Sequence, residues 1–143
     1  MTKILNFDMD GTFVDFYGVE GWLAYLLDAD ATPYKVARPL FNMSLFARTL
    51  NKLHSEGWEI NIISWCAKNA TADFDRKVID AKTAWLARHL PSVEWDNINI
   101  LPYGTPKHSV SCGILFDDEE GNRNGWGDGA YDVHNILGIL KTL

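Results

Sequence analysis

The feature that most constrains the fold is a short apolar run that ends abruptly on acidic residues. Ile4 to Phe7 has the composition of a buried strand, and Asp8-Met9-Asp10-Gly11-Thr12 follows it directly. The chain then alternates strand-like apolar runs with amphipathic helical ones, a pattern typical of a parallel sheet flanked by helices. We therefore predict an α/β fold built on a parallel sheet.

The expected elements follow from apolar periodicity and from capping residues. Strands are predicted at 4–7, 58–63, 98–101 and 113–116. Helices are predicted at 22–27, at 44–54 with Ser44 as the cap, from Asn69 or Thr71 to Leu90, and at 133–140. The glycine-rich stretch 121–129 is predicted to be a loop.

Residues 15–42 do not fit the strand–helix repeat. A connection of this length without a function is uncommon, and its position suits a lid over one end of the sheet. We predict a single domain over residues 1–143, with residues 15–42 as a small cap-like insertion after the first strand.

Charge and cysteine content narrow the expected partners. The net charge is −6 and no run of lysine or arginine occurs, which disfavours a surface that binds nucleic acid by charge alone. A small phosphate substrate remains compatible, because a bound divalent cation reverses the local field. Cys66 and Cys112 match no metal-binding or disulfide spacing, and the sequence contains no segment typical of a signal peptide or membrane span. A cytoplasmic protein without membrane partners is expected; its oligomeric state is left open.

Polar residues suited to phosphate chemistry follow three of the four predicted strands: Asp8 and Asp10 the first, Ser64 the second, and Asp117 and Asp118 the fourth, with Lys107 ten positions before Asp117. Ligands of open parallel sheets bind beyond the carboxyl ends of the strands. Taken singly, each residue has an ordinary explanation as a turn former or a solvated side chain. Four carboxyl groups at one sheet edge, however, repel each other unless a cation or a shared proton holds them. A metal site explains the cluster most economically.

In this order, these residues resemble the four motifs of the haloacid dehalogenase (HAD) superfamily, over about 110 residues. A finer resemblance is to the 5'(3')-deoxyribonucleotidases. It rests on Val14-Asp15-Phe16 after the first motif, on the segment 80–86 and on the Lys-to-Asp spacing within 99–118. The resemblance implies a three-layer, Rossmann-like fold with a reduced cap.

The same resemblance implies a Mg²⁺-dependent phosphomonoester hydrolase that acts through an aspartyl-phosphate. Asp8 would be the nucleophile and Asp10 the general acid and base, while Ser64 and Lys107 would hold the phosphoryl group. Gly11, Thr12 and Phe16 would contact the substrate. Mg²⁺ would be held by Asp8, by the Asp10 carbonyl and by one of two acids, with Asp118 as the direct ligand and Asp117 as its orienting partner. The implied partner is a small phosphorylated substrate, in particular a (deoxy)nucleoside monophosphate.

Three departures from the nucleotidase pattern bear on the substrate. The insertion is shorter than that family's cap, Trp65 replaces a small hydroxyl residue, and Thr105 stands where an arginine is expected. A HAD phosphatase for a polynucleotide 3'-phosphate or a phosphoprotein is therefore an alternative. An alternative of another class is a non-catalytic, receiver-like phospho-acceptor or a scaffold. The aromatic residues Phe16, Tyr17 and Trp22 either line a base pocket or pack the insertion onto the core.

Overall fold

A five-stranded parallel sheet lies at the centre of the computed structural model, which describes residues 2–143. In chain order the strands are β1 (Ile4–Phe7), β2 (Val14–Asp15), β3 (Arg38–Pro39), β4 (Glu59–Trp65), β5 (Asn97–Leu101), β6 (Ile114–Phe116) and β7 (Ala130–Tyr131). The sheet has the order β5-β4-β1-β6-β7, and all its neighbouring strands are parallel. The predicted α/β class is confirmed.

Six α-helices connect these strands within the described residues: α1 (Trp22–Leu27), α2 (Thr32–Val36), α3 (Met43–Ser55), α4 (Ala72–His89), α5 (Glu120–Trp126) and α6 (Ile136–Leu140). A short 3₁₀ helix covers Lys107–Ser109. Thr71 caps α4 through the amide of Phe74, as predicted. The predicted cap of α3 is wrong, because the Asn42 side chain, and not Ser44, accepts the hydrogen bond from Leu45 N. Both residue types are good N-caps, so tertiary contacts decide between them.

The prediction of a loop over 121–129 is also wrong, since α5 occupies most of it. Glycine lowers helix propensity by about 1 kcal/mol per residue, but tertiary contacts can override propensity. Here Arg123 donates to the carbonyl of Asp117, and the Trp126 indole donates to the carbonyl of Gly113. Gly127, with φ +88°, then ends the helix.

The main core lies between the sheet and α3. Phe7 packs edge-on against Phe46 and stacks on Phe116, with ring centroids 5.3 and 5.2 Å apart. Leu5 and Ile62 are fully buried in the same cluster. These contacts fix β1 at the centre of the sheet, so the residue that follows it emerges at the middle of one sheet edge.

The segment 15–42 forms a small substructure beside that edge. Its ends are held by β2 and β3, which pair antiparallel, and it contains α1 and α2. The Trp85 indole of α4 donates to the carbonyl of Ala37 at 2.8 Å, which ties the end of α2 to the main body. None of the residues of α1 is buried. Within residues 2–143, no helix combines the length and the apolar character needed to cross a membrane.

Candidate active site

The carboxyl ends of β1 and β6 bring three carboxylates together. The two strands are hydrogen-bonded neighbours, with Phe7 paired to Phe116, so Asp8 and Asp117 leave the sheet side by side. Oxygen atoms of Asp8, Asp117 and Asp118 all lie within 4.8 Å of one another. Asp8 and Asp117 are buried, and Asp118 is partly exposed. The strand-end pattern thus predicts the juxtaposition that the structure contains.

Lys107 joins two of these carboxylates. Its ammonium lies 3.1 Å from Asp8 Oδ1 and 2.6 Å from Asp117 Oδ2, and its side chain is almost fully buried. Burial lowers the pKa of Lys107, but the Asp8 and Asp117 carboxylates outweigh that effect and raise it. Lys107 is therefore a fixed positive charge at neutral pH.

The two neighbouring acids have different surroundings. Asp117 Oδ1 accepts from the Glu119 amide at 2.9 Å, and Oδ2 accepts from Lys107 and from Asn122 Nδ2. Both oxygens of Asp117 are thus engaged by the protein. Asp118 instead lies over Gly11, whose φ of +78° and lack of Cβ leave room for its carboxylate. Asp118 therefore makes fewer contacts with surrounding donors than Asp117 does.

Burial and mutual repulsion perturb these carboxyl groups. Burial, with the nearby Asp8 carboxylate, raises the pKa of Asp117 to about 6 and the pKa of Asp118 to about 8. Burial also raises the pKa of Asp10, with Lys82 acting in the opposite direction. Four carboxyl groups face two buried ammonium groups here, so a deprotonated site holds excess negative charge.

This composition fits a divalent cation. Carboxylate oxygens are the ligands that Mg²⁺ prefers, and two uncompensated charges match its own. Asp8, Asp118 and Asp117 supply the oxygen donors within the described residues. Glu119 and Glu120 are exposed, as expected of solvated acids, although Glu119 reaches the wall of the adjoining cavity.

Ser64, Gly11 and Thr12 have different surroundings in the site. Ser64 lies inside β4, one residue beyond the predicted strand, and is fully buried. The Thr12 hydroxyl donates to Asp8 Oδ2 at 3.2 Å, so its placement favours orientation of Asp8 over direct contact with a substrate. Gly11 provides the space for Asp118 described above.

A cavity of about 400 Å³ opens directly above these groups. Asp8, Asp10, Ser64 and Lys107 form its polar floor. Its walls carry six aromatic residues, from the 15–42 segment, from the last position of β4 and from the loop after β5: Phe16, Tyr17, Trp22, Tyr34, Trp65 and Tyr103. A larger groove of about 690 Å³ follows α2 and α4, but surface acids and bases line it, away from the carboxylate cluster.

The aromatic residues of the insertion divide between the two predicted alternatives. Phe16 is 3 % exposed and packs on Tyr34 at 4.6 Å, so it is chiefly a core residue beneath the cavity. Tyr17 is 50 % exposed and contacts Trp22 edge-on at 5.2 Å. Tyr17 and Trp22, more than Phe16, therefore present aromatic surface to a ligand.

Two polar residues of the site were absent from the sequence-based set. Lys82, on α4, is 1 % exposed and lies 2.9 Å from Asp10 Oδ2. Asn122, on α5, holds Asp117. A sequence signal exists for Lys82, because it shares the buried face of α4 with Val78, Ala81 and Trp85. No such signal exists for Asn122, because the sequence predicts a loop there and not a helix with a buried face.

Three further residues, one of them on the cavity wall, show no sign of a chemical role. Burial raises the pKa of the Cys66 thiol to about 11, so it stays protonated at neutral pH. His108 is exposed. Trp126 anchors α5 through Gly113, as expected of a packing residue and not of a lid.

The fold and the site together define an α/β protein that presents carboxylates and buried lysines at the carboxyl ends of a parallel sheet. Among solved structures, the chain is similar to the crystal structure of D,D-heptose 1,7-bisphosphate phosphatase from Burkholderia thailandensis. The likeness has a TM-score of 0.59 and covers 99 % of this chain and 97 % of that one, at 10 % sequence identity. It shows a shared fold. No protein-family model and no curated protein sequence matches the chain.

Proposed function

We propose that this protein is a phosphomonoester hydrolase of the HAD type. One observation carries the proposal: Asp8 lies at the floor of the cavity, held by Lys107 and Thr12, with Asp10 two residues further along the chain. A buried carboxylate beside a fixed positive charge is suited to approach an anionic phosphate. The motif order and the fold shared with a phosphatase support the same proposal.

In the first step, an Asp8 oxygen attacks phosphorus and the bond from phosphorus to the ester oxygen breaks. Asp10 donates its proton to that leaving oxygen, which departs as an alcohol. In the second step, Asp10 takes a proton from a water molecule, whose oxygen attacks phosphorus. The bond from Asp8 to phosphorus then breaks, and inorganic phosphate is released.

The remaining residues handle the charge of the phosphoryl group. Lys107 neutralises charge as the Asp8 carboxylate meets the phosphate, and Ser64 can donate its hydroxyl hydrogen to a phosphoryl oxygen. Asp8, Asp118 and the Asp10 carbonyl would hold Mg²⁺, with Asp117 orienting the cluster. When bound, that ion would supply further neutralisation of the phosphoryl oxygens.

The first test removes the nucleophile. Asp8→Asn should lower the hydrolysis of p-nitrophenyl phosphate by roughly a thousandfold or more, which corresponds to several kcal/mol of barrier. Asp128→Asn, at an exposed acid outside the site, is the matched control and should keep full activity. A folded Asp8→Asn protein with near wild-type turnover would overturn the mechanism.

The substrate that best fits the cavity is a nucleoside monophosphate. The cavity volume lies within the range typical of small-molecule sites, about 300–1,000 Å³. Aromatic faces stack on nucleobases, and Tyr17 and Trp22 lie on the insertion side of the cavity while Trp65 and Tyr103 pack together on the other, at 4.9 Å. A base held between these walls would leave its 5'- or 3'-phosphate near the polar floor.

The second test addresses this preference. Stacking is worth about 1–3 kcal/mol per base, so dUMP should exceed an alkyl phosphate by roughly ten- to a hundredfold in kcat/KM. Tyr17→Ala should remove most of that advantage and spare the alkyl phosphate, which has no ring to stack. Tyr25→Ala, on α1 and outside the cavity lining, is the matched control. Equal losses on dUMP, UMP and the alkyl phosphate would leave a phosphatase without nucleotide selectivity.

A further inference from the structure

Lys82 is a buried lysine that the two-step chemistry above does not use. It lies in the middle of α4, is 1 % exposed, and shares the apolar face of that helix. The Tyr34 ring of α2 covers its ammonium at 5.2 Å. A buried charge of this kind is costly unless it is paired and fully hydrogen-bonded.

The ammonium of Lys82 has three polar partners, an ion pair with one carboxylate and two hydrogen-bond acceptors. It lies 2.9 Å from Asp10 Oδ2, donates to Ser64 Oγ at 2.7 Å, and donates to the carbonyl of Trp65 at 2.8 Å. One side chain therefore connects the acid after β1 with the hydroxyl near the end of β4.

These bonds determine how both groups can face a phosphate. Because Ser64 Oγ accepts from Lys82, its own hydrogen is free to be donated elsewhere. Because Asp10 Oδ2 is paired with the Lys82 ammonium, its Oδ1 remains to carry the proton. We propose that Lys82 is a positioning residue, which holds Asp10 in its proton-donating orientation and directs the Ser64 hydroxyl. This inference rests on the proposed function.

The fold alone does not require a lysine here. Replacing a buried ion pair with well-packed apolar residues is often neutral or stabilising. The face of α4 around Lys82 is otherwise apolar, with Val78, Ala81 and Trp85 as neighbours. A lysine whose three donors all reach polar groups at the cavity floor is therefore explained by chemistry better than by packing.

The test uses esters that differ in their need for a proton. p-Nitrophenyl, phenyl and benzyl phosphate carry similar rings but have leaving groups of increasing basicity. The ratio kcat/KM reports steps up to the departure of the leaving group, so it isolates proton donation by Asp10 from the later hydrolysis. Lys82→Met should lower kcat/KM at least tenfold more for benzyl phosphate than for p-nitrophenyl phosphate. General acid catalysis contributes about 10²–10⁴-fold to a rate, so it is large enough to give a difference of this size.

Three comparison variants allow the dependence on the leaving group to be interpreted. Asp10→Asn should show the same dependence on the leaving group, while Ser64→Ala should lose activity about equally on all three esters. Lys77→Met, at an exposed lysine of the same helix, should match the wild type. If Lys82→Met does not fold by near-UV circular dichroism, Lys82→Arg is measured on the same series.

The possible failures are distinct. A uniform loss in folded Lys82 variants, with an active wild-type protein, overturns the positioning role and leaves the proposed function standing. A wild-type protein that hydrolyses none of the three esters overturns the proposed function itself, and the positioning role with it.

Discussion

Gly11 shows at the level of one residue how tightly the candidate site is packed. Its φ is +78°, and a Cβ added there would collide with the Asp118 carboxylate and approach the Tyr17 ring at 3.2 Å. Gly57 has a similar φ of +94°, but the space around its missing Cβ is open to 4 Å. Substituting each glycine in turn therefore distinguishes the cost of the backbone conformation, present at both positions, from the collision with Asp118, present only at Gly11.

We expect Gly57→Ala to destabilise the fold by about 1–2 kcal/mol, because it forces alanine into the left-handed region. Gly11→Ala carries the same backbone cost and should destabilise the fold more, because its new Cβ also collides with the Asp118 carboxylate. Only Gly11→Ala should also displace Asp118, and misplacement of this order can cost about a hundredfold in rate. Urea denaturation measures the first effect, and p-nitrophenyl phosphate turnover at a temperature where both variants are folded measures the second. Equal activities of the two variants would show that Asp118 tolerates the displacement.

Trp65 and Thr105, the two departures from the nucleotidase pattern, contact each other. The Trp65 indole donates to the carbonyl of Thr105 at 2.8 Å, and its ring lies 5.4 Å from the Lys107 ammonium. The indole thus covers the lysine that binds Asp8. The sequence marks both positions as unusual, but only the structure shows that Thr105 holds the indole of Trp65, which lines the cavity.

At the scale of elements, a row of asparagines crosses the sheet. Asn6, Asn61 and Asn97 are register partners on β1, β4 and β5. Asn97 donates to Asn61 at 2.9 Å, Asn61 donates to Asn6 at 3.1 Å, and Asn6 donates to the carbonyl of Cys112 at 2.8 Å. Asn6 and Asn61 are buried, so each depends on the others for its hydrogen bonds.

Asn61→Leu should therefore cost about 1–3 kcal/mol, because it leaves the buried Asn6 amide oxygen without its donor. Asn97 is exposed and water can replace its bond, so Asn97→Ala should cost no more than about 0.5 kcal/mol. Chemical denaturation of both variants gives the comparison. If Asn97→Ala lowers the free energy of unfolding as much as Asn61→Leu does, burial of the asparagine does not determine the cost of losing its hydrogen bond.

The sequence predicts those elements whose signals are local. Apolar runs and the Thr71 cap place the central strands and α4 correctly, since strand composition and capping chemistry act within a few residues. The sequence does not predict α5. Hydrogen bonds from Arg123 and Trp126 to the carbonyls of Asp117 and Gly113 outweigh the low helix propensity of its glycines. Lys82 escapes prediction for a similar reason. Its partners lie on two strands, and their distances depend on how α4 docks against the sheet.

Over the whole molecule, one cluster of acids stands out, at the point where two neighbouring strands end. The chain carries a net charge of −6, and three of its acids, Asp8, Asp117 and Asp118, cluster at the carboxyl ends of β1 and β6. Two of them, Asp117 and Asp118, have pKa values of about 6 and about 8, above the ordinary 3.8. The folded protein therefore binds more protons than the unfolded chain between pH 4 and pH 8. Since a raised carboxyl pKa favours the fold only while the proton is bound, stability falls as pH rises through this window.

In EDTA, the melting temperature should accordingly decrease by several degrees between pH 5 and pH 8.5. Asp118→Asn should remove most of the decrease above pH 7, because the group with the pKa of about 8 no longer ionises. Mg²⁺ should reverse the decrease in the wild-type protein, and should do so more strongly at pH 8 than at pH 6, because protons and metal compete for the same oxygens. Differential scanning fluorimetry across pH, with and without Mg²⁺, measures all three effects.

A melting temperature that does not change with pH in EDTA would mean that the carboxylates do not interact as the structure places them. If Mg²⁺ does not change how the melting temperature falls with pH, the result counts against the metal site alone. The carboxylates would then repel each other as the structure indicates, but no cation would bind to offset that repulsion.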